Sequence, residues 1–321
     1  MNNNFVTWCV LGDCSHPECH NCFPVKNCSK NHPECLNGTC PEIFNNMELK
    51  VLVTGCTGFI WSHVAEHLLK RGNKVLGIDN LNDYYDPKVK ESNLNVLREY
   101  PNFEFRKEDI CDTKSISEWK PHKICHLASM AGVRYSIQNP HIYDKVNIGG
   151  FIHILEEAVK NNIKQVVYAS SSSVYGLNTK VPFSEEDPIK TCNSPYACSK
   201  MAMELYAKTY NQLYDLNTIG LRFFTVYGPR GRPDMAPYKF IKAIIEGNKF
   251  QKYGDGSSSR DYTYVDDIVS GVVASIDNKK EVKSEVYNLG NSSPVSLNQF
   301  IELCEKVTGK KALFDQIGNQ L

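Results

Sequence analysis

The chain has 321 residues, with 36 basic and 36 acidic side chains and 41% hydrophobic residues. That length can bury a large α/β core. The balanced charge gives no electrostatic reason to expect nucleic acid or an anionic membrane as partner, and no apolar run approaches the ~20 residues that span a bilayer.

Residues 1–46 stand apart in composition. Seven of the 13 cysteines lie between Cys9 and Cys40, with His16, His20 and His32 among them. The opening "MNNNFVTWCVLGDC" has no basic stretch followed by a long apolar one, so no signal peptide is expected and a cytoplasmic protein is the default. "CHNC" at 19–22 has a C-x-x-C spacing suited to a tetrahedral metal. An odd number of cysteines suits disulfides poorly. Cys14, Cys19, Cys22, Cys28 and Cys35 are the candidate zinc ligands, with an unstructured tail as the alternative.

From Leu49 the pattern changes. "LKVLVT" reads as a buried strand, Ile60–Lys70 as a helix with Val64, Leu68 and Leu69 inward, and "KVLGID" at 74–79 as a second strand. Further strands are expected at "FEFR" (103–106), "KICHLA" (123–128), "KQVVYAS" (164–170) and "TIGLRFF" (218–224). Tyr143–Lys160 and Pro195–Tyr214 read as helices. This alternation predicts βαβ units and a Rossmann-type, doubly wound parallel sheet over residues 47–228. Beyond Gly228 the rhythm loosens. "FIKAIIEG" (240–247), "VDDIVSGVVASI" (265–276) and "SLNQFIELCEKVTG" (296–309, with Ser296 as N-cap) look helical, and "EVYNLG" (285–290) looks like a strand. Residues 229–321 are therefore expected to form a smaller C-terminal substrate-binding lobe, partly interleaved with the sheet.

Gly55 and Gly58 fall between the first strand and its helix. There the first glycine permits a tight turn and the second lets the backbone approach a pyrophosphate at the helix N-terminus. Asp79 ends the second strand, where an acid accepts ribose hydroxyls and disfavours a 2′-phosphate, so NAD is expected rather than NADP. A plain βα turn with a surface aspartate is the competing reading. Trp61 stands where a third glycine usually permits close packing. Overpacking there predicts weakened cofactor binding. "SPYACSK" sets Tyr196 and Lys200 one helical turn apart on one face. A neighbouring ammonium would lower the tyrosine pKa and make it a usable base. "ASSSSVYG" at 169–176 ends a strand and supplies hydroxyls where open α/β sheets bind ligands.

On these stretches, together with "GIDNLNDYYD" (77–86), "AGVRYSIQNP" (131–140), "PFSEED" (182–187), "LRFFTVYGPRGRPDM" (221–235) and "RDYTYVDDI" (260–268), residues 49–290 resemble the extended short-chain dehydrogenases/reductases. Within them the chain is similar to the nucleotide-sugar epimerases, most of all their glucuronate branch. The resemblance implies that Gly55, Gly58 and Ile60 shape the pyrophosphate turn, Asp79 and Asn80 hold the adenosine ribose, Asp109 and Ile110 line the adenine pocket, and Leu127 and Ala128 run along NAD. It implies Ser171 as the assisting hydroxyl, Tyr196 as the base and Lys200 as its tuner and ribose ligand. Thr225 would face the sugar, Arg232 its carboxylate and Arg260 the diphosphate, with Arg134 also on the substrate side.

The implied reaction is NAD-dependent 4-epimerisation of a UDP-sugar, UDP-glucuronate to UDP-galacturonate, through a transient 4-keto sugar, in a homodimer. Ser172 and Ser173 replace the acid–base pair that the related dehydratases carry, which favours simple epimerisation. A neutral UDP-hexose is the alternative substrate. A catalytically impaired nucleotide-sugar-binding protein is the alternative of another class, raised by Trp61 and by an ending at "FDQIGNQL", short of where such enzymes usually stop.

Overall fold

The computed structural model describes residues 49–278 and 282–318. The Cys/His-rich segment, with the candidate zinc ligands Cys14, Cys19, Cys22, Cys28 and Cys35, lies outside the described residues. Among the described residues no group of three or more His, Cys, Asp or Glu is placed to hold a metal. No described helix is long and apolar enough to cross a membrane.

The first half runs β1 (Lys50–Thr54), α1 (Phe59–Lys70), β2 (Lys74–Asp79), α2 (Pro87–Arg98), β3 (Phe103–Lys107), α3 (Ser115–Trp119) and β4 (Lys123–His126). It continues with α4 (Val133–Gln138), α5 (Pro140–Tyr143), α6 (Gly150–Lys160), β5 (Gln165–Ser171), α7 (Pro195–Tyr214), β6 (Asn217–Phe223) and β7 (Thr225–Tyr227). The remainder is α8 (Ala236–Glu246), β8 (Lys249–Tyr253), β9 (Ser259–Tyr264), α9 (Val265–Asp277), β10 (Ser284–Leu289), β11 (Pro294–Ser296), α10 (Leu297–Thr308) and β12 (Leu313–Ile317).

Seven strands form one sheet in the order β10-β6-β5-β4-β1-β2-β3, every pair parallel. Val51 of β1 stands opposite Val75 of β2 on one side and Lys123 of β4 on the other. The winding reverses at β1, which opens a crevice beyond the carboxyl ends of β1 and β4. Residue alternation assigns the two faces. Val51 and Val53 pack with Val64, Ala65 and Leu68 of α1 and with Val269, Val272 and Val273 of α9. Leu52 faces the other way, with Phe151, Ile154 and Leu155 of α6 and Met203 and Ala207 of α7.

The helix expected at Tyr143–Lys160 is regular only from Gly150. Asp144–Gly149 winds as a wider π-helical turn. That turn brings Asn147 fully inside, where its amide accepts from Met130 N (2.7 Å) and donates to Met130 O (3.0 Å) and Ser199 Oγ (2.9 Å). Side-chain insertion of this kind is a recognised cause of π-turns.

Beyond β6 the chain builds two small sheets, β11-β9-β7 and β12-β8, with α8 and α10 beside them. It also returns α9 against α1 and β10 to the edge of the large sheet. Ser296 does cap α10. Its hydroxyl accepts from Gln299 N at 3.2 Å, and the Gln299 side chain accepts from Ser296 N at 2.9 Å.

Candidate active site

A cavity of about 1690 Å³ opens at the carboxyl ends of the sheet strands. Every cofactor and sugar residue expected from the sequence lines it: Gly55, Gly58, Ile60, Asp79, Asn80, Asp109, Ile110, Leu127, Ala128, Arg134, Ser171, Tyr196, Lys200, Thr225, Arg232 and Arg260.

At one end lies the glycine turn. Gly55 has φ +70°, and a Cβ there would sit 2.9 Å from Ala128 Cα. Only glycine combines that backbone conformation with that approach. Its N–H bonds Ile78 O at 2.7 Å, fixing the turn to the end of β2. Gly58 is the N-cap of α1 and brings no capping side chain. The first N–H groups of the helix therefore point into the crevice without a side-chain acceptor, a ready anion site. Asp79 is buried, accepts from Thr57 Oγ1 (2.6 Å) and Leu81 N (2.8 Å), and has Lys90 Nζ 3.9 Å away. Asn80 donates to Asp109 at 2.9 Å, joining the ends of β2 and β3. The β1–β4 crevice is held by Thr54, whose hydroxyl accepts from Leu127 N (2.9 Å) and Ala128 N (3.0 Å).

Trp61 is on the first turn of α1 and is 9% exposed. Its indole meets the Phe223 ring edge-on, 5.6 Å between centroids. It joins the core between α1 and the end of β6 and still forms part of the cavity wall. The indole also abuts the glycine turn: its Cδ1 lies 3.3 Å from where a Cβ on Gly58 would sit.

At the middle of the cavity Ser171 ends β5 and Tyr196 opens α7, behind Pro195 and the N-cap Ser194. Burial raises the Tyr196 pKa, while the Ser171 hydroxyl and the Arg232 charge pull it down. Lys200 is fully buried, donates to Ala169 O at 2.8 Å, and lies 5.9 Å from the Tyr196 ring. Burial moves the lysine itself down, to about 7. Buried His126 is likewise lowered to about 3, by burial and by the Lys200 charge.

Behind these groups sits a polar cluster that sequence spacing did not reveal. Arg222 of β6 forks onto Glu204 of α7, with Nε–Oε1 2.9 Å and Nη2–Oε2 2.7 Å. Ser170 Oγ donates to the same carboxylate at 2.5 Å. Arg222 also donates to Tyr175 OH at 2.9 Å, and that hydroxyl donates to Asn288 of β10 at 2.7 Å. The cluster pins α7 to the residue next to Ser171. The apolar pattern of β6 gave no hint that one of its inward side chains is a charged arginine.

Another part of the cavity is built from longer side chains. Thr225 starts β7 and Arg260 lies on β9, exposed. Arg134 stacks over the Tyr253 ring at 4.1 Å. Arg232 is bound by Asp234 and lies 5.5 Å from the Tyr84 ring. Tyr84 and Asp234 were not singled out from sequence. Their only signal there was proximity in the quoted stretches.

Residues 51–290 match the NAD dependent epimerase/dehydratase family. The chain belongs to that family. It is 48% identical over 268 residues to an uncharacterized protein of Methanocaldococcus jannaschii, covering 82% of each chain. It is 45% identical over 266 residues to UDP-glucuronate 4-epimerase of Thermodesulfobacterium geofontis, covering 81% of each. The crystal structure of UDP-glucuronic acid 4-epimerase from Bacillus cereus, in complex with UDP-glucuronic acid and NAD, superposes with a TM-score of 0.80 at 35% identity, over 84% of this chain and 87% of that one. As a family member the chain pairs a Rossmann-type sheet with a smaller lobe, and its glycine turn and Ser171–Tyr196–Lys200 group share one cavity.

Proposed function

We propose that this chain catalyses NAD-dependent epimerisation at carbon 4 of a UDP-sugar, converting UDP-glucuronate to UDP-galacturonate. The carrying observation is one cavity lined together by the Gly55–Gly58 turn, Ser171, Tyr196, buried Lys200 and the guanidinium of Arg232. The relatives named UDP-glucuronate 4-epimerase support the substrate choice. The residues fit NAD. The turn is one a Cβ would block, the helix end offers uncapped N–H groups, and Asp79 closes the ribose end.

Bound NAD would supply a hydride acceptor for carbon 4 and, once the 4-keto sugar has turned in the cavity, a hydride donor to its other face. The chain's own groups do the rest. Tyr196 takes the proton of the sugar 4-hydroxyl, with Ser171 bonded to its phenolic oxygen as charge develops. Lys200, donating to Ala169 O beneath the ring, regains its full charge where an anion develops nearby. Arg232 holds the sugar carboxylate in the plane of the 4-ketone, out of the perpendicular geometry that favours loss of carbon dioxide. Arg260 meets the diphosphate from the mouth of the cavity.

We also propose a homodimer through α7, whose Leu205 and Leu213 are 56% and 64% exposed on the half of the helix remote from Tyr196. Its mass in solution tests that assembly. The activity is tested by incubating the protein with NAD and UDP-glucuronate and separating the sugar nucleotides. A UDP-galacturonate peak is expected without added reductant, and its absence refutes the assignment.

A further inference from the structure

Arg232 has two hydrogen-bonding edges. Asp234 occupies one of them entirely: Nε donates to Oδ1 at 2.9 Å and Nη2 to Oδ2 at 2.5 Å. The Tyr84 ring lies 5.5 Å from the guanidinium carbon. The local backbone makes this possible. Gly228 has φ +144°, Gly231 N bonds Gly228 O at 3.2 Å, and Met235 N bonds Arg232 O at 3.2 Å. This compact turn folds Asp234 back onto the residue two before it. No second carboxylate among the described residues reaches the Nη1–Nη2 edge, and Arg232 lines the cavity.

We propose that Asp234 is a positioning residue for sugar specificity: by holding the Nε–Nη2 edge of Arg232 it fixes the guanidinium plane and presents the Nη1–Nη2 edge to the carboxylate of an acidic sugar. The proposal rests on the glucuronate reading above. A long arginine would otherwise sample many orientations. Clamped on one edge and flanked by Tyr84, it offers a preformed bidentate site, the arrangement in which arginine recognises carboxylates best. Asp234 also supplies the counter-charge that a largely buried arginine needs before substrate arrives.

The orientation of Arg232 has a chemical consequence. In the 4-keto glucuronate the bond from carbon 5 to the carboxylate can break. Its electron pair then passes into the enolate of the ketone, a proton from water completes a 4-keto pentose, and carbon dioxide leaves. This requires the carboxylate to stand perpendicular to the ketone plane. A guanidinium held by Asp234 opposes that rotation, and a loosened one permits it.

The test uses NAD-loaded protein with two substrates, UDP-glucuronate labelled in its carboxylate and UDP-glucose. Asp234→Asn and Asp234→Ser are expected to raise KM for UDP-glucuronate about tenfold, the scale of one charge-assisted contact. KM for UDP-glucose should stay within about twofold, and labelled carbon dioxide should rise as a share of turnover. Asp234→Glu should restore part of the effect. Equal KM changes for both sugars, or an unchanged KM with no added carbon dioxide, overturns the proposal. Arg232→Met separates the two layers. If it leaves KM for UDP-glucuronate unchanged, the carboxylate assignment of Arg232 falls and the proposal with it. If it raises that KM while both Asp234 variants behave as wild type, only the role of Asp234 falls.

Discussion

At the proposed cofactor end the cavity wall includes backbone, the Gly55 turn pressed on Ala128 and the uncapped start of α1, beside strands buried over Val51–Thr54 and Val75–Asp79. At the sugar end the wall is made of side chains: Tyr84, Arg134, Arg232 and Arg260 reach in from loops, a short helix and a small sheet, and each is held by a ring, a carboxylate or a carbonyl. Recognition through backbone is bound up with the fold, so it is hard to change without loss of stability. Recognition through long side chains can be retuned while the scaffold stands. Perturbations at the cofactor end should therefore shift stability and function together, and those at the sugar end should shift selectivity alone.

The largest expected effect lies where the two ends meet. Tyr196→Phe should lower turnover by roughly 10²- to 10⁴-fold, the usual worth of a positioned acid–base group. The circular dichroism spectrum and Tm should stay near wild type, because one hydroxyl is lost. Unchanged turnover would show that another group is the base.

Glu204→Gln probes the scaffold directly. It leaves Arg222, whose side chain is 4% exposed, without its counter-charge. Breaking such a buried pair costs about 3–5 kcal/mol, which urea unfolding would register. A smaller loss is expected for Asp234→Asn, because the Arg232 side chain is 19% exposed and borders the cavity, and a matching loss there would erase the contrast between the two ends.

Trp61 tests whether bulk at the glycine turn acts on binding or on packing. If its overpacking weighs on the cofactor, Trp61→Gly should tighten NAD binding by roughly 5- to 150-fold, corresponding to ~1–3 kcal/mol. The lost Phe223 contact should lower Tm in the same protein. Calorimetric titration giving equal affinities would show that the core has absorbed the indole without cost to the cofactor.

A further effect is a pH dependence. In the folded NAD-free chain Lys200 titrates near 7, against 10.5 in its ordinary state. Between those values the unfolded chain keeps a proton that the folded one has released. The contribution of this group to stability therefore rises with pH across that window and is lowest below about 7. Lys200→Met should flatten that rise in unfolding measured at several pH values. An identical slope would place the titration elsewhere.

Much of the sheet was legible because strands buried on both faces read as unbroken apolar runs, as in "KVLVT" and "QVVYASS". α2 escaped because its buried face is partly polar. Lys90 and Asn93 are inside, satisfied by Asn82 and by Thr57 O, so the helical period carried little apolar signal. Its N-terminal marks, Asp86 as N-cap and Pro87 at the first position, were present all the same. β8, β9, β11 and β12 escaped for another reason. They are short, largely exposed, and find partners far along the chain, as Lys249 does opposite Leu313. In the site, Tyr196 and Lys200 were legible as one turn of a single helix, Gly55 as the turn after a strand, and Ser171 through the family resemblance. Asp234 and Tyr84 were not, since they act on Arg232 through a turn and a distant loop, and the Glu204–Arg222 cluster joins separate elements.

The return of β10 to the edge of the large sheet bears on how the chain is made. β6 lies between β5 and β10, so one of its edges has no partner until residues 284–289 have left the ribosome. Through all the synthesis of the intervening lobe, an apolar strand carrying Ile219, Leu221 and Phe223 waits with open hydrogen-bonding groups. Such an edge is where a nascent chain pairs wrongly with its neighbours. The last strand of the sheet is thus also its seal, and a polypeptide interrupted anywhere between 224 and 283 would be released with that edge exposed.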